Sequence, residues 1–305
     1  MTWILIAEQS LNGLQFGLML FLLAAGLTLV FGIMDMINLA HGSLYMLGAF
    51  LAASLVQATG SFLAGVLLAI PATAVLGMLL EVLVLRNLYQ RDHLSQVLAT
   101  FALILILNEA VRLVWGSDAP LPMPASLSGP VELLPGLFYP AYRLLIIAVG
   151  LAVAAFLFLF ISKTRIGMLV RAGASNREMA LAMGVNIRVL FTAVFGVGAA
   201  LCAVAGALLA PLLAVQEGMG ENILILAFVV IVIGGIGSIR GALVGALVVG
   251  MVDTIGRAFL PLLFGLVFQP RVASAAGPAI ASVSIYLLMA VILYFKPKGL
   301  FPARG

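Results

Sequence analysis

Nine apolar runs, near residues 10–32, 42–57, 62–85, 94–115, 141–162, 191–213, 222–236, 241–262 and 279–295, follow one another with only polar breaks between them. Most approach the roughly 20 residues that a helix needs to cross the hydrocarbon core of a bilayer. Such a chain could not cover a water-facing surface, because it is 9% charged where soluble domains carry about 25%. A soluble enzyme, a secreted scaffold and a disordered chain are excluded. The runs predict an all-α, polytopic transmembrane helical bundle, with residues 1–305 forming a single transmembrane domain. Several runs are short or merge, so eight to ten spans are expected. The single cysteine, Cys202, lies in an apolar run, which excludes a disulfide framework and a cysteine-based metal cluster. The net charge of +4 is spread too thinly to make a phosphate-binding stripe, so no nucleic-acid partner is expected.

The surplus of basic residues reads instead as a topology signal. No Lys or Arg precedes Arg86, so the amino end lacks the basic region of a signal peptide and any charge that would hold it in the cytoplasm. With the carboxyl end inside, alternation of spans puts Arg86, Arg91, Lys163, Arg165, Arg171, Arg177, Arg188, Arg240, Lys296, Lys298 and Arg304 on the cytoplasmic side. Only Arg112, Arg143, Arg257 and Arg271 fall outside or near outer span ends. The inverted arrangement would reverse this ratio, against the positive-inside rule. The amino terminus is therefore expected outside.

Two stretches exceed a simple turn. Residues 116–140 hold Pro120, Pro122, Pro124, Pro130, Pro135 and Pro140, too much proline for a helix, and are expected to form an irregular external loop. Residues 163–190 form a basic cytoplasmic loop. Within it, Ser175-Asn-Arg177-Glu178 fits a capping box, Met179 to Met183 are good helix formers, and Gly184 can end the helix in a left-handed turn. A short helix near 175–183 follows. Glycines at small-xxx-small spacing, Gly13/Gly17 and Gly237/Gly241/Gly245, point to close helix packing in lipid. The turn Gly234-Gly-Ile-Gly-Ser238 completes neither nucleotide-binding motif.

Constellations for chemistry are sparse. His41 and His93 are the only histidines, far apart in sequence and without an HExxH motif, so neither a metal site nor a catalytic residue set can be assembled. Charges inside spans matter more, because an unpaired one in hydrocarbon is costly. Glu109 and Arg112 stand at i, i+3, and Asp253 and Arg257 at i, i+4, so each pair can meet on one helical face, as a structural pair or beside a solute pathway. Asn38-Leu-Ala-His41-Gly-Ser43-Leu-Tyr45 interrupts two apolar runs. It is either a broken helix whose polar groups line a solute path or an ordinary tight cytoplasmic turn.

The block Gly26-Leu-Thr-Leu-Val-Phe-Gly-Ile-Met-Asp-Met-Ile-Asn-Leu-Ala-His-Gly-Ser-Leu-Tyr-Met-Leu-Gly48 resembles the amino-terminal signature of the branched-chain amino-acid ABC transporter permeases, the H-type subunit of the leucine/isoleucine/valine system. The resemblance runs essentially end to end. It includes Gly234-Gly-Ile-Gly-Ser-Ile-Arg-Gly241 and the tail Lys296-Pro-Lys-Gly-Leu-Phe-Pro302. Glu178-Met-Ala-Leu-Ala-Met-Gly184 is similar to the EAA loop of bacterial importer permeases; it keeps Glu178, Ala180 and Gly184 and departs at Met179.

The resemblance implies the ABC importer permease fold and a multi-pass subunit of the bacterial inner membrane with no ATPase site of its own. It implies two ATP-binding subunits that carry the ATP, a second homologous permease, and a periplasmic or extracellular solute-binding protein. No cofactor is expected on this chain. Ser175, Arg177, Glu178, Ala180 and Gly184 would couple to the ATPase; Asn38, His41, Ser43 and Tyr45 are candidates for the substrate pathway. Branched-chain amino acids are the leading substrates, with other amino acids, urea and amides beside them. Two rivals stand against this reading: an ion-coupled secondary transporter of small solutes, and an assembly subunit with no pathway.

Overall fold

The computed structural model describes residues 2–301, without the side chains of Thr2 and Arg177; Pro302 and Arg304, named above, lie outside the described residues. The helices run in the order α1 (Thr2–Met34), α2 (His41–Thr59), α3 (Phe62–Leu83), α4 (His93–Trp115), α5 (Ala141–Lys163), α6 (Arg165–Ser175), α7 (Arg177–Ala182), α8 (Ile187–Leu209), α9 (Met219–Gly234), α10 (Ile239–Phe264) and α11 (Pro270–Phe295). Eight of these are long and apolar enough to cross a membrane, within the expected range. The run at 222–236 is the exception: α9 has 16 residues, about 24 Å, short of a full crossing. Glycines bound it, with Gly218 at φ 78° before it and Gly235 at φ 107° after it, where a side chain would strain the backbone.

Side-chain caps start most of the other helices. Ser61, Asp92, Thr164, Asn176, Asn186 and Ser238 each accept a backbone N–H three residues on, the arrangement that satisfies a helix's first free donors. Serine 175 was expected to cap the short cytoplasmic helix; it instead closes α6, and Asn176 is the cap, its Oδ1 accepting from Met179 N at 2.9 Å. An asparagine in extended backbone competes well for this position.

The expected irregular loop at 116–140 is more ordered than its prolines suggested. Strands β2 (Pro130–Leu134) and β3 (Leu137–Pro140) form an antiparallel hairpin turning at Gly136, φ 84°. A shorter strand, β1 (Asp118–Ala119), pairs with β4 (Val215–Gln216). The prolines are tolerated because Pro130 and Pro140 face each other at the hairpin's open end, where a missing donor costs little.

Helix α1 is the hub, with residues 18–25 almost fully buried. It runs antiparallel to α10: Gly13 meets Met251, Gly17 meets Gly250, and Gly32 meets Gly237. A methyl group added at Gly17 would lie 2.9 Å from the Ala246 carbonyl oxygen, so glycine is what lets the two backbones approach. Helices α4, α5 and α11 form the periphery and keep most of their apolar surface exposed, as lipid-facing helices do. The bundle has two distinguishable ends. At one, α5 passes into α6, and Gly173 of α6 faces Ile33 and Leu190; the other carries the β2–β3 hairpin. Following each helix from these marks, all four of Arg112, Arg143, Arg257 and Arg271 fall at the hairpin end, and the other described basic residues at the α6 end.

Candidate functional site

The α6–α7 segment is two short helices separated by Asn176, whose backbone is extended. Thr164 caps α6 through Gly167 N at 3.0 Å, and the helix folds back on α5, where the Arg171 guanidinium donates to the Ile161 carbonyl. Val170 and Gly173 are its buried face. Helix α7 ends in a Schellman motif: Gly184 N donates to Leu181 O at 2.9 Å and Val185 N to Ala180 O at 3.0 Å, with Gly184 at φ 82°. Of the residues assigned to coupling, Ala180 is buried and anchors α7, Ser175 and Glu178 are exposed, and the side chain of Arg177 is not described. Met179, Leu181 and Met183 are exposed at 59%, 51% and 79%, beside exposed Glu178 and Ala182. Three large apolar side chains thus stand exposed on a six-residue helix and its C-cap.

Directly behind α7, Asn186 caps α8, and the first turns of α8 enter a polar network that the sequence did not reveal. Glu81, with no exposed surface, accepts hydrogen bonds from Arg86 Nη2 at 3.0 Å, Tyr89 OH at 2.6 Å and Thr192 Oγ1 at 2.6 Å. Arg86 also donates to Thr192 at 2.8 Å, and its hydrogen bond to Glu81 holds its guanidinium pKa above the ordinary value. Nearby, the hydroxyl and amide of Ser95 hold the Asp92 carboxyl below the usual carboxylate range. The network ties the end of α3 to the start of α8.

The break at Asn38–Tyr45 lies inside the bundle. Gly26, eight residues and about 12 Å along α1 from Met34, is the residue that meets the His41 ring. The chain after α1 therefore turns back into the protein before α2 begins, and Asp35 takes φ 50° to start that return. Asn38 and His41 have no exposed surface; Ser43 and Tyr45 have 3% and 1%. The Asn38 carboxamide oxygen accepts from Ala40 N at 3.1 Å, while its Nδ2 finds no partner among the described residues. His41 Nε2 stands 3.1 Å from Cys202 Sγ, between Gly26 and Gly198. At the same depth the start of α9 meets the start of α2: Gly42 and Gly220 pack backbone to backbone, too closely for any side chain. Two interrupted helices thus begin against each other within the membrane-spanning region. Asn108 donates to Glu221 at 2.6 Å beside this junction.

Both charge pairs read from spacing are formed. Arg112 and Glu109 meet at 3.3 Å on an exposed face of α4, and Arg257 Nε meets Asp253 at 2.8 Å, with Asp253 nearly buried. No group of three or more metal-ligating side chains occurs among the described residues. The three sequence blocks that carried the family resemblance converge at the α6 end. Gly32 of the first meets Gly237 of the second, and the tail docks on that turn through Leu300 N to Ile233 O and Phe301 N to Gly234 O, both at 2.9 Å.

Comparison with known proteins agrees with this convergence. Residues 9–295 match the family model described as "Branched-chain amino acid transport system / permease component". The chain is 32% identical over 306 residues to the high-affinity branched-chain amino acid transport system permease protein BraD of Pseudomonas aeruginosa, covering 96% of this chain and 94% of that protein. To the corresponding LivH protein of Escherichia coli it is 32% identical over 273 residues, 83% of this chain and 86% of the other. A probable LivH permease of Methanocaldococcus jannaschii is 28% identical over 260 residues, 82% and 81% of the two chains. No solved structure matches.

Proposed function

The chain belongs to the family of branched-chain amino acid transport permease components, and from that premise we propose how its geometry serves ATP-driven import. The chain is a permease subunit of an ABC importer, not an ion-coupled transporter; its deepest acids, Glu81 and Asp253, are already engaged by arginines and are poor candidates for an ion relay. Branched-chain amino acids are its substrates. ATP is bound and hydrolysed by two partner subunits, a second homologous permease completes the pore, and a solute-binding protein delivers at the hairpin end. The concentration of basic residues at the α6 end supports placing that end in the cytoplasm, with the amino terminus outside.

The observation that carries the coupling reading is the set of exposed apolar side chains on and beside α7, a rigidly closed helix. Met179, Leu181 and Met183 dock in a groove of the ATP-binding subunit. Ala180 and the Schellman turn hold α7 fixed to α8, and Glu81 fixes α8 to α3, so a displacement of α7 moves a block of helices rather than a loop. The gate is the buried junction of α2 and α9. Gly42 and Gly220 seal it here, and separation of the two helices opens the donor of Asn38, with His41, Ser43 and Tyr45 behind it, to a passing solute. ATP binding shifts the sealed and open states because the partner's contacts with α7 differ between them.

The test is a Leu181→Glu, Met183→Glu double variant. Membrane insertion stays normal, the ATP-binding subunit no longer co-purifies, and ATP-dependent uptake falls by roughly two orders of magnitude, the equivalent of about 2.7 kcal/mol. Full uptake by that variant would remove α7 from the coupling path.

A further inference from the structure

At the hairpin end, remote from α7, a cleft of about 420 Å³ opens between α1, the start of α5 and the outer half of α10. Its wall is polar in a chain that is otherwise 64% hydrophobic: Gln9, Asn12 and Gln15 come from α1, Arg143 from α5, and Asp253, Thr254 and Arg257 from α10. Several of these side chains bond one another, Asn12 Nδ2 donating to Gln9 Oε1 at 3.3 Å among them, yet donors and acceptors are left over. Arg143 has no carboxylate within ion-pair distance among the described residues; one of its terminal nitrogens donates to Asn12 Oδ1, which also accepts from Tyr139 OH at 3.0 Å. The Tyr139 hydroxyl also bonds Arg143, which leaves part of the guanidinium's five N–H donors uncommitted. Gln15 is 6% exposed, lines the cleft, and makes no hydrogen bond to a described residue. Its carboxamide is not sealed inside the protein, so it opens to the cleft and is available to a ligand there.

The charges in the wall have a definite pattern. Asp253 is held by Arg257, whose Nε bridges its two oxygens at 2.8 and 2.9 Å while Nη2 donates to Ser282 at 2.8 Å. A carboxylate has about four acceptor positions, so Asp253 keeps room for a further donor. The wall thus offers a guanidinium with no carboxylate partner among the described residues, a fixed carboxylate with spare lone pairs and a carboxamide open to the cleft, with Phe16 and Ala258 as the apolar remainder. That combination complements one carboxylate and one ammonium on the same small molecule.

We propose that this cleft is an entry subsite for the ammonium and carboxylate groups of an α-amino acid: Arg143 takes the carboxylate, Asp253 the ammonium, and Gln15 bridges the two. The proposal rests on the reading of the chain as an amino-acid importer subunit and adds to it a place where the subunit itself recognises the substrate's common end. Because every α-amino acid carries that end, the subsite selects for the class, while the side chain is left to the solute-binding protein and the apolar passage.

The experiment uses the complete transporter, with its ATP-binding subunits, second permease and binding protein, in vesicles of phosphatidylcholine alone and of phosphatidylcholine with an anionic lipid. Radiolabelled leucine uptake is measured with saturating binding protein. ATP-driven uptake by the unsubstituted complex establishes the underlying reading; its absence sinks that reading, whatever the variants do. Gln15→Leu is the decisive variant: it keeps the side-chain volume and removes a group that holds nothing in the protein, so a merely structural role predicts an unchanged or more stable complex with unchanged uptake. The subsite predicts at least a tenfold fall in uptake from a complex that still assembles. Arg143→Met should lose at least as much and Arg143→Lys should recover part of it. Undiminished uptake by Gln15→Leu overturns the proposal. A loss confined to anionic vesicles also overturns it, because the cleft then holds a lipid headgroup.

Discussion

Glu81 shows how a single side chain can be decisive and yet hidden in the sequence. The pairs Glu109–Arg112 and Asp253–Arg257 were legible because their spacing fits one helical face. Glu81 and Arg86 stand five apart, which no continuous helix brings together. The helix breaks at Val84, φ −121° and ψ −62°, and a tight turn over Leu85–Leu88 swings Arg86 back onto the carboxylate. Only tertiary structure then supplies Thr192, 111 residues away. Removing the carboxylate in Glu81→Ala takes away two charge-assisted hydrogen bonds from hydroxyl groups and costs about 2 kcal/mol or more, whereas Glu81→Gln keeps an acceptor and loses less. A lowered thermal midpoint in detergent for the alanine variant, together with reduced uptake, is the expected result. A variant as stable as the parent would make the network incidental.

Among the elements, those whose start and stop are set locally were read closely. Gly184 ends α7 as its sequence suggested, and the small residues at 13, 17, 241 and 245 do lie at helix crossings. The cap of α7 moved by one residue because Ser175 and Asn176 are both competent and the end of α6 claims the serine. Hairpin β2–β3 is not legible in the sequence because prolines read as helix breakers, while Pro130 and Pro140 at the open end of a two-stranded ribbon are harmless. Packing at the α1–α10 crossing gives the sharpest element-scale prediction. Gly17→Val must displace backbone atoms of Ala246 and Leu247 and should cost about 1–3 kcal/mol. Gly60→Ala meets nothing within 4 Å, so only its left-handed backbone, φ 66°, is strained, at about 1 kcal/mol. Comparing thermal midpoints of the two variants checks the order; a Gly17→Val protein at least as stable as Gly60→Ala would contradict the close approach.

For the whole molecule, the apolar runs and the basic asymmetry were enough to read a polytopic bundle with two unlike ends. What they could not give was depth. That α2 and α9 begin inside the bundle, Gly42 against Gly220, depends on the chain folding back beside Gly26 after a long α1, and no local pattern encodes that return. In the proposed reading this arrangement separates an engine-facing end from a solute-facing end, joined by a buried seam that parts during each cycle. The most direct measurement of this account is leucine uptake by the reconstituted complex under two conditions: ATP supplied with the proton and sodium gradients collapsed by ionophores, and the gradients intact with ATP withheld. The account predicts uptake in the first condition and none in the second; uptake sustained by the gradients alone would contradict it.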